Sequence, residues 1–120
     1  MTDENNESFM EISGNGNKYW KNSLGQLHRL DGPAIEYAHG SEVWYKNGKK
    51  HRINGPADIS NSAKGWYFEG KLHRLDGPAV ENINEWKEWW VDGKRHRLDG
   101  PAVERSDGSK FWYEIGRAHV

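Results

Sequence analysis

The chain has 120 residues, of which 17 are basic and 18 are acidic, and it contains no cysteine. This length predicts one small domain, and the absence of cysteine excludes a disulfide framework, a cysteine zinc site and thiol chemistry. Leu, Ile, Val and Phe together number only 20, whereas Trp, Tyr and Phe number 15. A conventional aliphatic core is therefore excluded, and a thin structure held together by aromatic side chains is favoured.

The first segment, residues 1–17, is acidic and rich in Asn and Gly, so we predict a flexible N-terminal tail. Within it, Phe9, Met10 and Ile12 are the side chains suited to docking. The segment does not resemble a secretory signal, and no apolar run approaches the roughly 18 residues of a membrane span. We therefore expect a cytoplasmic location.

Residues 18–120 form an internal repeat, which we predict to be the folded domain. The motif His-Arg-Leu-Asp-Gly-Pro-Ala begins at His28 and recurs at His51, His73 and His96, with Ile and Asn replacing Leu and Asp in the second copy. Each of the last three copies follows an aromatic pair whose Trp precedes a Gly by four residues. The repeats lie near 18–43, 44–65, 66–88 and 89–111, with a partial fifth at 112–120.

Each repeat predicts two short strands. The aromatic pair is typical of a strand, and Asn47-Gly48 predicts a tight turn after it because Gly adopts positive φ without steric cost. The Pro of Asp-Gly-Pro makes the chain turn or follow a sheet edge. Ala79–Glu81 begins the second strand, and no segment is apolar at helical spacing. We therefore predict an all-β fold, an elongated ribbon of stacked antiparallel hairpins in a single-layer twisted sheet.

Stacking of the repeats places equivalent residues side by side in rows. Because strand side chains alternate, the Trp row and the row of residues that follow it are expected on opposite faces. The expected rows are Trp20, Trp44, Trp66, Trp89 and Trp112; then Tyr45, Tyr67, Trp90 and Tyr113; then Leu30, Ile53, Leu75 and Leu98; and then Ala34, Ala57, Ala79 and Ala102.

Two stretches resemble the MORN repeat (membrane occupation and recognition nexus), namely Trp44 to His51 and Asp107 to Lys110. The period of 23 residues also matches, and the resemblance extends over about residues 18–120. It implies a divergent MORN-like protein of the kind found among short bacterial and phage proteins, including antitoxins and immunity proteins. One departure is the Arg that follows each His, where the family usually has Gly.

Function in a repeat protein often lies where the copies differ, and aromatic residues are prominent there. Trp86 has no counterpart in the other repeats, and Trp90 replaces a Tyr. Aromatic side chains dominate binding hot spots. We therefore expect a non-enzymatic protein-interaction module that binds and inhibits or scaffolds a partner protein. The expected aromatic strip comprises Tyr45, Tyr67, Phe68, Trp86, Trp90 and Tyr113.

The repeated His-Arg pair supports an alternative function, in which a basic row beside aromatic rings binds a nucleotide or another phosphate ligand. The other interpretation is structural: each Arg pairs with a nearby Asp or Glu of its own or the next repeat, such as the acid two residues later, and each His bonds a loop carbonyl. Asn54 replaces that acid in the second repeat, so we expect Arg52 to be freer. The row comprises His28, Arg29, His51, Arg52, His73, Arg74, His96 and Arg97.

One histidine in each repeat gives a line of side chains, which cannot converge as a metal shell or a catalytic site requires. We therefore expect no enzyme activity, metal or cofactor. The near-neutral charge argues against DNA binding. Membrane-surface attachment is a third possibility, although the chain lacks the necessary polybasic cluster. At the C-terminal edge, where the fifth repeat stops, we expect either homodimer formation or capture by a partner.

Overall fold

The computed structural model of the chain describes residues 7–118, which form strands, turns and loops without a helix. Within this range no helix is therefore available that is long and apolar enough to cross a membrane. The molecule measures 48 × 36 × 18 Å, so it is elongated and thin. These findings confirm the predicted all-β ribbon.

Eighteen short strands make up the fold within the described range. In chain order they are β1 (Phe9–Ile12), β2 (Lys18–Lys21), β3 (Ile35–Glu36), β4 (Glu42–Val43), β5 (Tyr45–Lys46), β6 (Lys49–Lys50), β7 (Asp58–Ile59), β8 (Ala63–Gly65), β9 (Tyr67–Phe68), β10 (Lys71–Leu72), β11 (Val80–Asn82), β12 (Lys87–Glu88), β13 (Trp90–Val91), β14 (Lys94–Arg95), β15 (Val103–Glu104), β16 (Lys110–Phe111), β17 (Tyr113–Glu114) and β18 (Arg117–Ala118).

Ten of these strands form one open antiparallel sheet in the order β1-β2-β3-β4-β7-β8-β11-β12-β15-β16. The remaining eight form four two-stranded hairpins, β5-β6, β9-β10, β13-β14 and β17-β18. Each hairpin continues the chain beyond a sheet strand, after a single Trp that separates the two. The repeats therefore build one long sheet and, beside it, a row of four hairpins.

The tight turns of the hairpins occur where the Gly spacing predicts them. Asn47 has φ of 49° and Gly48 has φ of 81°, and the other three turns have the same pair of positive angles. Two central residues with positive φ give the turn a twist that matches the twist of the flanking strands.

The core is a row of small side chains at the junction between the sheet and the hairpins. Trp44 donates its backbone N–H to the Ala57 carbonyl at 2.6 Å, and Ala57 donates to the Gly65 carbonyl at 2.8 Å. Ala57 and the three equivalent alanines are 0% exposed. Only Ile35, Val43 and Val103 add larger buried aliphatic groups within the described range. A core built mainly of alanines needs few large aliphatic residues, which agrees with the composition of the chain.

Successive hairpins are joined by a second set of backbone hydrogen bonds. Arg52 donates its N–H to the Tyr67 carbonyl at 3.1 Å, and Gly70 donates to the Lys50 carbonyl at 2.8 Å. Equivalent bonds join the other neighbouring hairpins. Each repeat is therefore held to the next one twice, once through the sheet and once through the hairpins.

The sheet begins within the segment that we expected to be a tail. β1 pairs with β2 in antiparallel register, with Phe9 opposite Lys21 and Ile12 opposite Lys18. Residues 9–17 therefore supply the first strand and the turn of a hairpin at one edge of the sheet, and Phe9, Met10 and Ile12 remain exposed there. Residues 1–6 of the expected tail lie outside the described residues.

Ile115 offers a test of the turn geometry, because its φ of 49° is unfavourable for a β-branched residue. Its side chain is 64% exposed, so little packing is lost on substitution. We expect Ile115→Asn to raise the free energy of unfolding by about 1 kcal/mol, as measured by urea denaturation. Ile83→Asn is the matched control, since Ile83 is 79% exposed and has no positive φ. Equal effects of the two substitutions would contradict the assignment of strain to this turn.

Candidate functional site

The arginine of each His-Arg pair stacks on the Trp of its own repeat. The guanidinium carbon of Arg74 lies 3.9 Å from the Trp66 ring centroid, and that of Arg97 lies 3.8 Å from the Trp89 centroid. Arg29 on Trp20 and Arg52 on Trp44 have the same geometry at 3.9 Å. Such cation–π contacts contribute about 0.5–2 kcal/mol each, depending on desolvation.

The loop that follows each stacked arginine is bound to the same guanidinium. Arg74 donates from Nε to Asp76 at 3.0 Å and from Nη1 to the Pro78 carbonyl at 3.0 Å. Nη1 also donates to Glu81 at 3.3 Å. Arg29 and Arg97 make the same three kinds of contact. In three of the four repeats the arginine therefore has two carboxylate partners and holds its loop against the Trp.

Arg52 keeps this position without the two carboxylates. It donates to the Pro56 carbonyl at 3.1 Å and stacks on Trp44. Asn54 and Ile59 occupy the places that Asp and Glu occupy in the other repeats. No ion pair to Arg52 occurs within residues 7–118. The charge of Arg52 is thus the least compensated in the row.

The histidines accept hydrogen bonds from backbone amides, whereas a structural role had led us to expect bonds to loop carbonyls. Nδ1 of His51 accepts from the Glu69 N–H at 3.0 Å, and Nδ1 of His28 accepts from the Asn47 N–H at 2.9 Å. His73 and His96 accept from the next turn in the same way. An accepting Nδ1 requires a neutral ring with its proton on Nε2. Burial lowers the pKa of His51, which favours that neutral form.

The four arginine loops, residues 29–33, 52–56, 74–78 and 97–101, form one face of the molecule, which we call the loop face. At their tips the apolar side chains point into solvent: Leu30 is 48%, Ile53 76%, Leu75 81% and Leu98 78% exposed. Three clefts separate successive loops, and each cleft is bounded by the Trp–Arg stack of the next repeat. The predicted Leu row is therefore a solvent-facing row.

One wall of each cleft differs between the repeats, at the position two residues after the Trp. Lys46 occupies it in the first cleft, Phe68 in the second and Val91 in the third. The Phe68 ring lies 4.6 Å from the His51 ring and 6.1 Å from the His73 ring, measured between centroids. The clefts thus share a frame but present a cation, an aromatic ring and an aliphatic group in turn.

The residues of the expected aromatic strip contact different neighbours and fall into three groups. Trp86 and Trp90 both donate their indole N–H to Glu88, at 2.7 and 2.9 Å, and the Arg95 guanidinium lies 5.2 Å from the rings of Trp90 and Tyr113. Tyr45 and Tyr67 lie near Lys50 instead. Lys50 in β6 pairs with Tyr45 in β5, and its Nζ lies 4.9 Å from the centroid of the Tyr67 ring. Phe68 belongs to the second cleft instead.

Comparison with other proteins adds no assignment, since no family model, no curated protein and no solved structure matches this chain. Within residues 7–118, no group of three or more His, Asp or Glu side chains is placed to hold a metal ion. Three features of the described range consequently bear on function: the loop face, the lack of carboxylate partners at Arg52, and the hydrogen bonds from Trp86 and Trp90 to Glu88.

The neutral state of His51 makes stability depend on pH. Because the pKa of His51 in the folded chain lies below its ordinary value of 6.5, the unfolded chain takes up the proton first as the pH falls. The contribution of His51 is therefore complete above pH 6.5 and is lost progressively below it. We expect His51→Asn, which retains an acceptor but does not titrate, to lose less stability than the wild type between about pH 7.5 and about pH 5.5.

Urea denaturation at the two pH values measures this difference. His39→Asn is the control, because His39 is exposed, its Nε2 lies 2.8 Å from Ser41 Oγ and its ring stacks on Tyr37 at 5.2 Å, so within the described residues it accepts no backbone N–H of another repeat. That variant should show the acid sensitivity of the wild type. If His51→Asn and the wild type lose the same free energy of unfolding, His51 does not act as a neutral acceptor.

Proposed function

We propose that this chain is a non-enzymatic protein-interaction module that binds a partner through the loop face and thereby inhibits or scaffolds it. The observation that carries the proposal is the row of exposed apolar side chains at the four loop tips. Leu30, Ile53, Leu75 and Leu98 all lie in equivalent places and are about half to four-fifths exposed. A repeated row of exposed apolar side chains bordered by charged residues is a candidate binding surface.

The loops are also held rigidly enough to bind without a large ordering cost. Arg74, for example, connects the loop to Trp66, to Asp76 and to the Pro78 carbonyl at the same time. A surface that is fixed before binding loses less conformational entropy when the partner arrives. This preorganisation supports a binding role for side chains that make no contribution to the core.

The alternative, a nucleotide or phosphate ligand on the His-Arg row, has weaker support. Three arginines already have two carboxylate partners each, and the histidine Nδ1 atoms are engaged as acceptors. Arg52 is the member of the row that favours anion binding. Partner binding that weakens only slightly with salt would support the apolar surface, since exposed charge contacts are screened.

We infer that the chain is a divergent relative of the MORN repeats and a small bacterial or phage accessory protein. Support for the kinship comes from the Trp–Gly hairpins at 22–23-residue spacing and from the Asp-Gly-Ser-Lys stretch at Asp107–Lys110. An open ribbon with a large surface for its mass suits a protein whose role is to contact another one.

Substitution of the loop tips tests the proposed function. We expect Leu75→Ser/Leu98→Ser to abolish retention of the partner that the wild type captures from the organism encoding it, because the apolar contact area is lost. Leu24→Ser/Ile83→Ser is the matched control, since these residues are similarly exposed but lie away from the loop face. Affinity capture followed by identification and a binding isotherm provides the measurement.

The double variant Trp86→Ala/Trp90→Ala distinguishes the loop face from the aromatic strip in the same assay. Circular dichroism and thermal unfolding establish that each variant is folded. If the partner still binds the Leu variant but not the Trp variant, the binding surface is formed by Trp86 and Trp90 around Glu88 and not by the loop face. Survival in both variants would contradict both surfaces.

A further inference from the structure

We propose, on the basis of the proposed function, that the loop face binds an extended acidic peptide in the polyproline II conformation. An acidic side chain of this peptide occupies the first cleft, and apolar side chains three and six residues away occupy the second and third clefts. The ligand is thus defined by a spacing, by a charge at one end and by apolar groups along the rest.

The spacing follows from the sheet. Neighbouring strands are about 4.7–4.9 Å apart, and each repeat contributes two strands, so equivalent clefts are separated by about 9.4–9.8 Å. A polyproline II helix presents the same face every three residues, or about every 9.3 Å. In a β-strand the same face recurs about every 6.7 Å, and in an α-helix seven residues rise about 10.5 Å. Only the polyproline II repeat stays in register across three clefts.

The charge of the ligand follows from the first cleft. Its lining includes Arg29, Lys46 and Arg52 and no carboxylate. Arg29 is compensated by Asp31 and Glu36. Lys46 and Arg52, in contrast, form no ion pair within the described residues. This cleft is also the smallest of the three, at about 360 Å³.

The second and third clefts differ from the first in both charge and size. Asp76 lines both of them, and Asp99 is added in the third, so Arg74 and Arg97 are compensated. Arg52 also lines the second cleft, but there it is accompanied by Asp76, whereas no carboxylate lines the first cleft. Phe68 supplies an aromatic wall in the second cleft and Val91 an aliphatic wall in the third. These clefts are also larger than the first, at about 640 and 720 Å³. Aromatic-lined grooves are a common way to bind polyproline II segments.

Fluorescence anisotropy with synthetic peptides tests this assignment on the full chain. The probe is fluorescein-labelled Asp-Pro-Pro-Leu-Pro-Pro-Leu-Pro-Pro. One comparison peptide replaces Asp by Asn, and another separates Asp and the two Leu residues by three Pro each. We expect the probe to bind about three- to ten-fold more tightly than either comparison peptide, since one charge-assisted contact or one cleft is lost.

A variant that restores the consensus isolates the role of Arg52. Asn54→Asp/Ile59→Glu gives Arg52 the two acids that the other arginines have, so the fold should tolerate it. We expect this variant to lose the preference for Asp over Asn while retaining the preference for three-residue spacing. Asn61→Asp/Ile83→Glu makes the same change in net charge on exposed residues away from the loop face, and it should keep both preferences.

The outcomes separate this inference from the proposed function. If no peptide binds, or if the spacing has no effect, the peptide assignment is overturned, whereas loss of the captured partner in Leu75→Ser/Leu98→Ser still supports the interaction module. If inorganic phosphate or ATP binds with an affinity that Asn54→Asp/Ile59→Glu removes, and the probe does not bind, the first cleft is a small-anion site instead. Equal Asp and Asn binding by the wild type overturns the charge assignment.

Discussion

The contact between arginine and tryptophan is the interaction on which the rest of this structure depends. In the third repeat, the Arg74 guanidinium covers the Trp66 ring and binds the Pro78 carbonyl, while the Arg74 backbone N–H donates to the carbonyl of Trp90 in the next hairpin. One residue therefore fixes its own loop, its own Trp and the following repeat. Because this contact recurs in every full repeat, a chain with a core of alanines and a few larger aliphatics can hold a sheet of ten short strands.

The frame could be predicted from the sequence because its determinants are local. Gly at a fixed distance from Trp specifies a turn with positive φ, and the alternation around Trp-Tyr specifies strands, so the hairpins and their order follow from the spacing of Gly48 and its equivalents. The sheet edge was harder to place, because Phe9–Ile12 belongs to no repeat and gains its pairing only from β2. Its polar surroundings resemble those of a flexible segment.

The site was less predictable, because it depends on contacts between residues that the local pattern does not connect. Trp66 and Arg74 meet across a hairpin, and the adjacent Leu75 lies exposed between two clefts. The histidine pattern suggested donors to carbonyls, yet Nδ1 of His51 accepts from the turn of the following repeat. The expected strip likewise treated Phe68 and Tyr67 as one surface, although adjacent residues in a strand face opposite sides.

The second repeat shows how a repetitive frame can acquire an asymmetric site. Its arginine keeps the stack on Trp44 and the bond to Pro56, so the loop retains its shape. Both acids that would neutralise this arginine are replaced, by Asn54 and by Ile59, although they lie five residues apart in different elements. Loss of either acid alone would leave one carboxylate on the guanidinium. Loss of both leaves a charge on a rigid support beside Ile53, the second of the four loop tips, and this off-centre charge gives the loop face a direction that identical repeats cannot provide.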